Sequence, residues 1–223
     1  MATNIRCFTP RKARVLRVTL LDECGVPVTG SGSAQIVESG FVQVAPSAQY
    51  ETGDEHFSKT ADAELCVNEK DPDILKRFEI TADFCVVNPG LIVNTVSPSR
   101  LLTYSESPTG TGFALAEGGS DVHFSLEVWQ RVAGSAACDA AGQQQYVYNA
   151  WPHMTNGKIG DYNISVEPSV LQIIAESKAV SPLWTIGEDW LGAGAVQVIP
   201  DHWFVNLTTV EPPTAACIIA DLE

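Results

Sequence analysis

Apolar and polar residues alternate at period two through much of this chain, and that alternation constrains its fold more than any other feature. From Lys76 to Val87, Phe78, Ile80, Ala82, Phe84 and Val86 fall on one side of an extended backbone, and Arg77, Glu79, Thr81, Asp83 and Cys85 on the other. Val122, Phe124, Leu126 and Val128 alternate in the same way with His123, Ser125, Glu127 and Trp129. A helix would need apolar residues three and four apart, so these runs specify strands with one buried face. Leu16, Val18 and Leu20 repeat the pattern in Arg14–Leu21, as do Tyr162, Ile164 and Val166. Pro168-Ser169 then turns the chain into Val170–Ala175, which predicts a hairpin between these last two runs. The core is therefore expected to contain Phe78, Ile80, Phe84, Phe124, Leu126, Val128, Ile164 and Val166.

Between these strands the chain is punctuated. Asp22–Gly25 reads as a turn, and a strand over Gln35–Val44 is interrupted at Ser39-Gly40, where a bulge is expected. Ala45–Asp62 has no periodicity; irregular stretches of this length are usually functional or disordered. It carries Tyr50 and Phe57 among Glu51, Asp54 and Glu55, so it reads as a partner-binding loop or a solvated hairpin tip. Asn88-Pro89 has the form of an N-cap and first helical residue, placing a short helix over Gly90–Thr95. Asp71-Pro72 predicts one helical turn through Leu75, and Ser97–Thr111 reads as a polar connection. Further short strands are expected at Ala63–Val67, Ala195–Ile199, Trp203–Val210 and Cys217–Ile219. About ten to twelve strands and few helices make an all-β fold, a β-sandwich or partly closed barrel of short antiparallel strands with one short helix. The expected organisation is a basic arm over residues 1–12, then a single domain over residues 13–223 with the long loop at 45–62.

Composition narrows the function. With 45% hydrophobic and 18% charged residues, the chain has the make-up of a folded protein, and no apolar run reaches the about 18–20 residues that span a bilayer. No membrane partner is expected. Six scattered cysteines without a Cys-x-x-Cys pair predict buried free thiols and no zinc site. The net charge of −14 is uneven, because residues 1–21 hold five basic residues and no acidic one. The remainder carries all 27 acidic residues and eight of the 13 basic ones. Such a surface lacks the basic footprint that nucleic-acid binding requires. Gly110-Thr111-Gly112 lacks the lysine of a phosphate loop, His56, His123, His153 and His202 are far apart in sequence, and the acidic residues near 51–64 lack calcium-loop spacing. No catalytic residue, metal or cofactor is expected, and the chain does not read as an enzyme. Trp184 and Trp190 frame either a packed corner or a surface for stacking a sugar.

One stretch carries a family resemblance. Thr109–Leu115 leads into the Val122–Trp129 strand, then Val132-Ala133-Gly134, Cys138, Tyr146-Val147-Tyr148 with Trp151-Pro152, and Gly157–Tyr162. The order of these pieces, over about residues 110–167, resembles the major tail (tail-tube) proteins of long-tailed bacteriophages that infect actinobacteria. The resemblance implies a β-sandwich with one packed helix, made in the host cytoplasm and placed in the virion tail. It implies self-association into rings, commonly hexameric, stacked as a tube through which DNA is ejected without specific binding, and contacts with other tail proteins. A long loop in the N-terminal half would lie against the next ring. The subunit-interface candidates are Tyr50, Glu51, Asp54, Glu55 and Phe57 of the loop and, because their charge is complementary in sign to an acidic surface, the N-terminal basic residues Arg11, Lys12 and Arg14. The lumen candidates are Glu79, Asp83 and Glu127, since an acidic wall does not hold DNA. The alternatives are a carbohydrate- or receptor-binding sandwich, or another tail subunit such as a minor tail protein or terminator.

Overall fold

In a computed structural model, the described residues are 7–29, 35–103, 110–118, 121–164, 166, 169–192 and 200–220. They form strands β1 (Thr9–Leu21), β2 (Gln35–Glu38), β3 (Phe41–Glu51), β4 (Glu55–Lys59), β5 (Leu65–Lys70) and β6 (Ile74–Phe84). Helix α1 (Pro89–Thr95) and strands β7 (Ser99–Thr103), β8 (Gly110–Leu115), β9 (His123–Ala133), β10 (Tyr146–Tyr162) and β11 (Leu171–Ser177) follow. Helix α2 (Glu188–Leu191), β12 (Phe204–Thr208) and β13 (Ala216–Ala220) complete the order. The fold is an all-β sandwich built on one large antiparallel sheet, β13-β2-β1-β9-β10-β11-β6-β3.

Strand β10 makes the sandwich from that single sheet. One of its edges runs along β9, from Tyr146 opposite Arg131 to Met154 opposite Phe124. Its other edge is shared in succession by β12, over Tyr146–Ala150, and β11, over Met154–Tyr162. The sheet bends there, so that β6 and β11 pack across from β1 and β9. The alternating residues meet in the gap: Leu16 and Val18 from β1, Phe124, Leu126 and Val128 from β9, Ile80 and Phe84 from β6, and Leu171 and Ile173 from β11. Burying each large apolar side chain here is worth about 1.5–3 kcal/mol. Helix α1 fills the same core with Leu91 and Ile92. As its sequence predicts, Asn88 caps it, the side-chain oxygen accepting from Gly90 N–H at 3.0 Å and Leu91 N–H at 3.4 Å. Gly157 on β10 lets the helix end come close: a Cβ there would lie 1.6 Å from the Thr95 carbonyl oxygen.

The outer face of β1, β9 and β10 is also covered. Residues 178–191 lie over it, and Val15, Trp129, Tyr148, Val180 and Trp184 form a second core with Trp190 and Phe204 packed against it. This doubled burial corrects the reading of the odd-numbered positions of β9 as a solvated face. Glu127, expected in a lumen, is completely buried. Its Oε2 accepts from Arg17 Nε at 2.5 Å and its Oε1 from Arg17 Nη2 at 2.7 Å and Tyr148 Oη at 2.5 Å. Burial acts to lower the Arg17 pKa, but the charge and hydrogen bonds of Glu127 outweigh it and leave the guanidinium more firmly protonated. Burial and the neighbouring Glu127 together push the Tyr148 hydroxyl well above its ordinary value.

Other expectations need correction. The strands are not all short, since β1 has 13 residues and β10 has 17. Residues 9–12 belong to β1, paired with β9, and not to an arm. The segment 71–75 has no helical turn, because Ile74 and Leu75 already pair with Glu51 and Tyr50. Part of the 97–111 connection is the β7–β8 hairpin, and α2 adds a second short helix. β11 pairs with Met154–Tyr162 instead of 162–167, a register that buries Leu171, Ile173 and Ala175. Ile164 and Val166 are consequently left in solvent, 87% and 105% exposed. Cys7, Cys24, Cys66, Cys85 and Cys138 are free but exposed. The strand expected at 195–199 lies outside the described residues.

Candidate assembly interface

The segment that reads as an irregular loop is a two-stranded ribbon. β3 pairs with β6 from Phe41 opposite Phe84 out to Glu51 opposite Ile74. After a waist, β4 and β5 continue the same hairpin from Glu55 opposite Lys70 to Lys59 opposite Leu65. The waist is tight: Asp71 N–H donates to the Asp54 carbonyl at 2.9 Å, and Gly53 N–H to the Asp73 carboxylate at 3.1 Å. A Cβ on Gly53 would meet the Asp71 carbonyl oxygen at 2.0 Å, so only glycine fits. That N–H and the nearby Lys70 ammonium hold the Asp73 carboxyl below its usual range. Thr60 closes the tip, its N–H donating to the Glu64 carbonyl at 2.8 Å and its hydroxyl accepting from Glu64 N–H at 3.0 Å.

From Ala45 outwards every residue of β3, β4 and β5 is exposed. At a rise of about 3.3 Å per residue, Ala45 to Lys59 reaches roughly 50 Å. The interface candidates Tyr50, Glu51, Asp54, Glu55 and Phe57 all lie on this ribbon, with Tyr50 62% and Phe57 60% exposed. Leu65, Val67 and Ile74 are exposed beside them. Phe57 lies opposite Asn68 and Val67 opposite Ser58, so the apolar side chains point from both faces. A bare two-stranded ribbon is marginal in water, and no described element covers either face of this tip.

Arg11, Lys12 and Arg14 are exposed on the first half of β1, beside β9. Arg11 lies directly opposite Arg131, itself exposed, and Lys12 sits at a register break with φ 48°. Like charges facing each other across a ladder repel, and none of the four has an ion-pair partner among the described residues. The structure thus puts the five ribbon candidates on one element and the three basic candidates on another.

Glu79 and Asp83 do lie on the outer face of β6, half-buried. Asp83 accepts from Gln43 Nε2 at 2.6 Å and Gln172 Nε2 at 3.0 Å, and Glu79 stands opposite Glu176. Ala45, Ser47 and Thr81 lie alongside in register, and Arg77 of the same face pairs with Glu176 at 3.4 Å. Glu127 does not share it, for the reason given above.

Two contacts were invisible in sequence. His123 Nδ1 and His153 Nε2 are 2.8 Å apart, both rings buried, because β9 and β10 are neighbours. Burial, helped by His123 and Lys178, lowers the His153 pKa to about 4. Among the described residues, no cluster of three or more His, Cys, Asp or Glu side chains is placed to hold a metal. Ser177 Oγ lies 2.9 Å from His202 Nδ1, but it is buried and already accepts from Phe78 N–H at 2.8 Å. The pair fastens the turn at residues 201–203 to β11 and does not present a nucleophile. Trp184 is completely buried and stacked on Phe204, while Trp190 packs over Arg17 and Tyr148. The tryptophan corner is core, and Trp184 offers no face for a sugar. No family model matches the chain, and no curated protein matches it.

Proposed function

We propose that this chain is the repeating structural subunit of a bacteriophage tail tube, assembling as stacked rings around a channel for DNA. The ribbon of residues 41–84 carries the reading. It reaches roughly 50 Å from Ala45 to Lys59, has apolar side chains on both faces, and is the kind of element that a neighbouring subunit would cover. Heterologous contacts made by such an element propagate into open assemblies instead of closing a dimer. Among the described residues the sheet also ends in β3 on one side and β13 on the other, unpaired edges that neighbours in a ring would protect. The face bearing Glu79 and Asp83 suits a channel wall, because Arg77 of that face is already paired with Glu176 at 3.4 Å.

Negative-stain electron microscopy of the purified chain tests the reading. Rings or tubes of uniform diameter are the expected result, and they should fail to retard duplex DNA in a gel at low salt. A chain that stays a small, discrete oligomer at milligram concentrations overturns the proposal. Tubes that bind DNA strongly would place the acidic face outside.

A further inference from the structure

The second core shares Val15 and Tyr146 with a polar pocket of about 550 Å³. Arg14 of β1 and Ser39 line it with them, and residues 211–215 complete the wall. Thr208 sends the chain into that last segment, its hydroxyl accepting from Val210 N–H at 3.2 Å. Pro212-Pro213 then stiffens the wall, with two fixed backbone torsions and no N–H to donate. The volume suits a small molecule.

Cations collect on this face. Cross-strand partners point to the same side of a sheet. Arg11 opposite Arg131, Arg131 opposite Tyr146 and Tyr146 opposite Thr208 therefore make one row across β1, β9, β10 and β12. That row and Arg14 put three guanidinium groups on the Tyr146 face of a chain whose net charge is −14. None of the three has an ion-pair partner among the described residues. Tyr146 is only 4% exposed, yet its hydroxyl makes no hydrogen bond among the described residues. Buried donors are ordinarily satisfied. Glu211 is the one carboxylate lining the pocket, and it pairs with none of these groups.

The donors decide the ligand class. Guanidinium groups donate and never accept, and a phenol beside them has its own proton to give. A carboxylate brings two oxygens and a single charge, too few to engage the set together. A phosphate monoester brings three terminal oxygens and a charge of about −1.5 to −2, and the planar fork of arginine matches its geometry. We propose that this pocket is a phosphate-binding site, taking free phosphate or the phosphate group of a small organic ester. Its oxygens accept from Arg14, Arg131 and Tyr146 Oη, Arg11 adds charge, and any organic remainder lies towards Ser39 and Glu211. Three clustered arginines fall short of the extended cation stripe that duplex DNA needs. The site stands apart from the ribbon and from the assembly reading.

Isothermal titration calorimetry of the intact chain tests this, with ionic strength held constant by sodium chloride. Inorganic phosphate and ribose 5-phosphate should each saturate one site per chain, about tenfold or more tighter than acetate. Tighter binding of the ester assigns the site to an organic phosphate, and equal binding assigns it to the free ion. Tyr146→Phe removes only the unpartnered hydroxyl and should weaken both about three- to tenfold. Arg14→Met and Arg131→Met, at exposed positions that do not threaten folding, should each weaken both by about tenfold or more. Arg100→Met, at an exposed arginine of β7, should change nothing. Phosphate should also raise the melting temperature of the wild-type chain more than that of Arg131→Met. No saturable binding of either phosphate at about 10 mM, or binding that all three pocket variants keep, overturns the site. Acetate binding as tightly as phosphate overturns the phosphate assignment. Retardation of duplex DNA that the same variants abolish overturns the small-ligand reading.

Discussion

Arg17 and Glu127 lie directly opposite each other on β1 and β9, and the guanidinium grips both carboxylate oxygens with neither side chain in solvent. The pair sits between Trp129 and Trp190, with the Arg17 Cζ 5.3 and 4.6 Å from the two ring centroids. Two charges in an apolar layer demand each other. Glu127→Ala strands the arginine, and a loss of about 3–5 kcal/mol is expected in chemical denaturation. Arg17→Met with Glu127→Leu removes both charges and should lie much closer to wild type. A single Glu127→Ala loss below about 1 kcal/mol would mean that Arg17 escapes to water.

The first core gives a sharper contrast within one kind of residue. Phe124→Ala empties a site 2% exposed and should cost about 3–5 kcal/mol. Ile164→Ala and Val166→Ala, at positions standing in solvent, should each change stability by less than about 0.5 kcal/mol. Equal losses at all three would contradict the β10–β11 register.

Gly157→Ala addresses the contact between α1 and β10. The new methyl would lie 1.6 Å from a backbone oxygen, which no side-chain rotation relieves. Helix or strand must shift, at a cost of about 1–3 kcal/mol or more. Thermal unfolding should register it, and Gly142→Ala, with nothing within 4 Å of the new methyl but a φ of 79°, provides a strain-only comparison.

His153 makes stability depend on pH. Its folded pKa of about 4 lies below the about 6.5 of an unfolded histidine. The folded form therefore binds fewer protons, so this contribution is complete above pH 6.5 and is lost as pH falls towards 4. Melting temperatures measured from pH 7.5 to 4 should drop through that window, and His153→Gln should flatten the drop. The facing groups are His123, Asp121 and Lys178, and Asp121 is held ionised by Thr155 and Asn156 against its own partial burial. Its pKa is lowered, so it stays largely ionised through that window.

Removal of the ribbon tip separates folding from assembly. Residues 52–73 contribute nothing to either core. Replacing them with Asn-Gly should give a chain with an unchanged melting temperature that forms neither rings nor tubes. Normal assembly by the shortened chain would remove the ribbon from the interface.

The sequence made some of this legible and hid the rest for physical reasons. Phe78–Phe84 and Phe124–Val128 alternate because one face of each strand meets the first core, and that part is read correctly. The cap of α1 is equally local, Asn88 and Pro89 settling it within three residues. Glu38 fixes the break at Ser39-Gly40 by accepting both backbone N–H groups, at 2.8 and 2.7 Å. Glu127 misleads because alternation reports which residues differ, not which face is wet, and the segment covering its face comes some fifty residues later. The ribbon leaves no periodicity, since a strand exposed on both faces has no inside to mark. Its register is instead written in the Gly53 waist and the Thr60 turn, where backbone geometry and not hydrophobicity is decisive.

The single bent sheet also has a mechanical meaning. Through backbone hydrogen bonds among the described residues, a pull on the ribbon reaches β9 only by way of β6, then β11, then β10, links joined in series. In such a series the least regular link yields first. The β10–β11 ladder has five pairs and is broken twice, between Thr155 and Lys158 and between Ile159 and Tyr162, whereas β3–β6 keeps ten pairs across its two breaks and β6–β11 runs unbroken over six. Under tension the subunit would stretch at that seam, sparing both the grip of the ribbon and the ladder between β9 and β1.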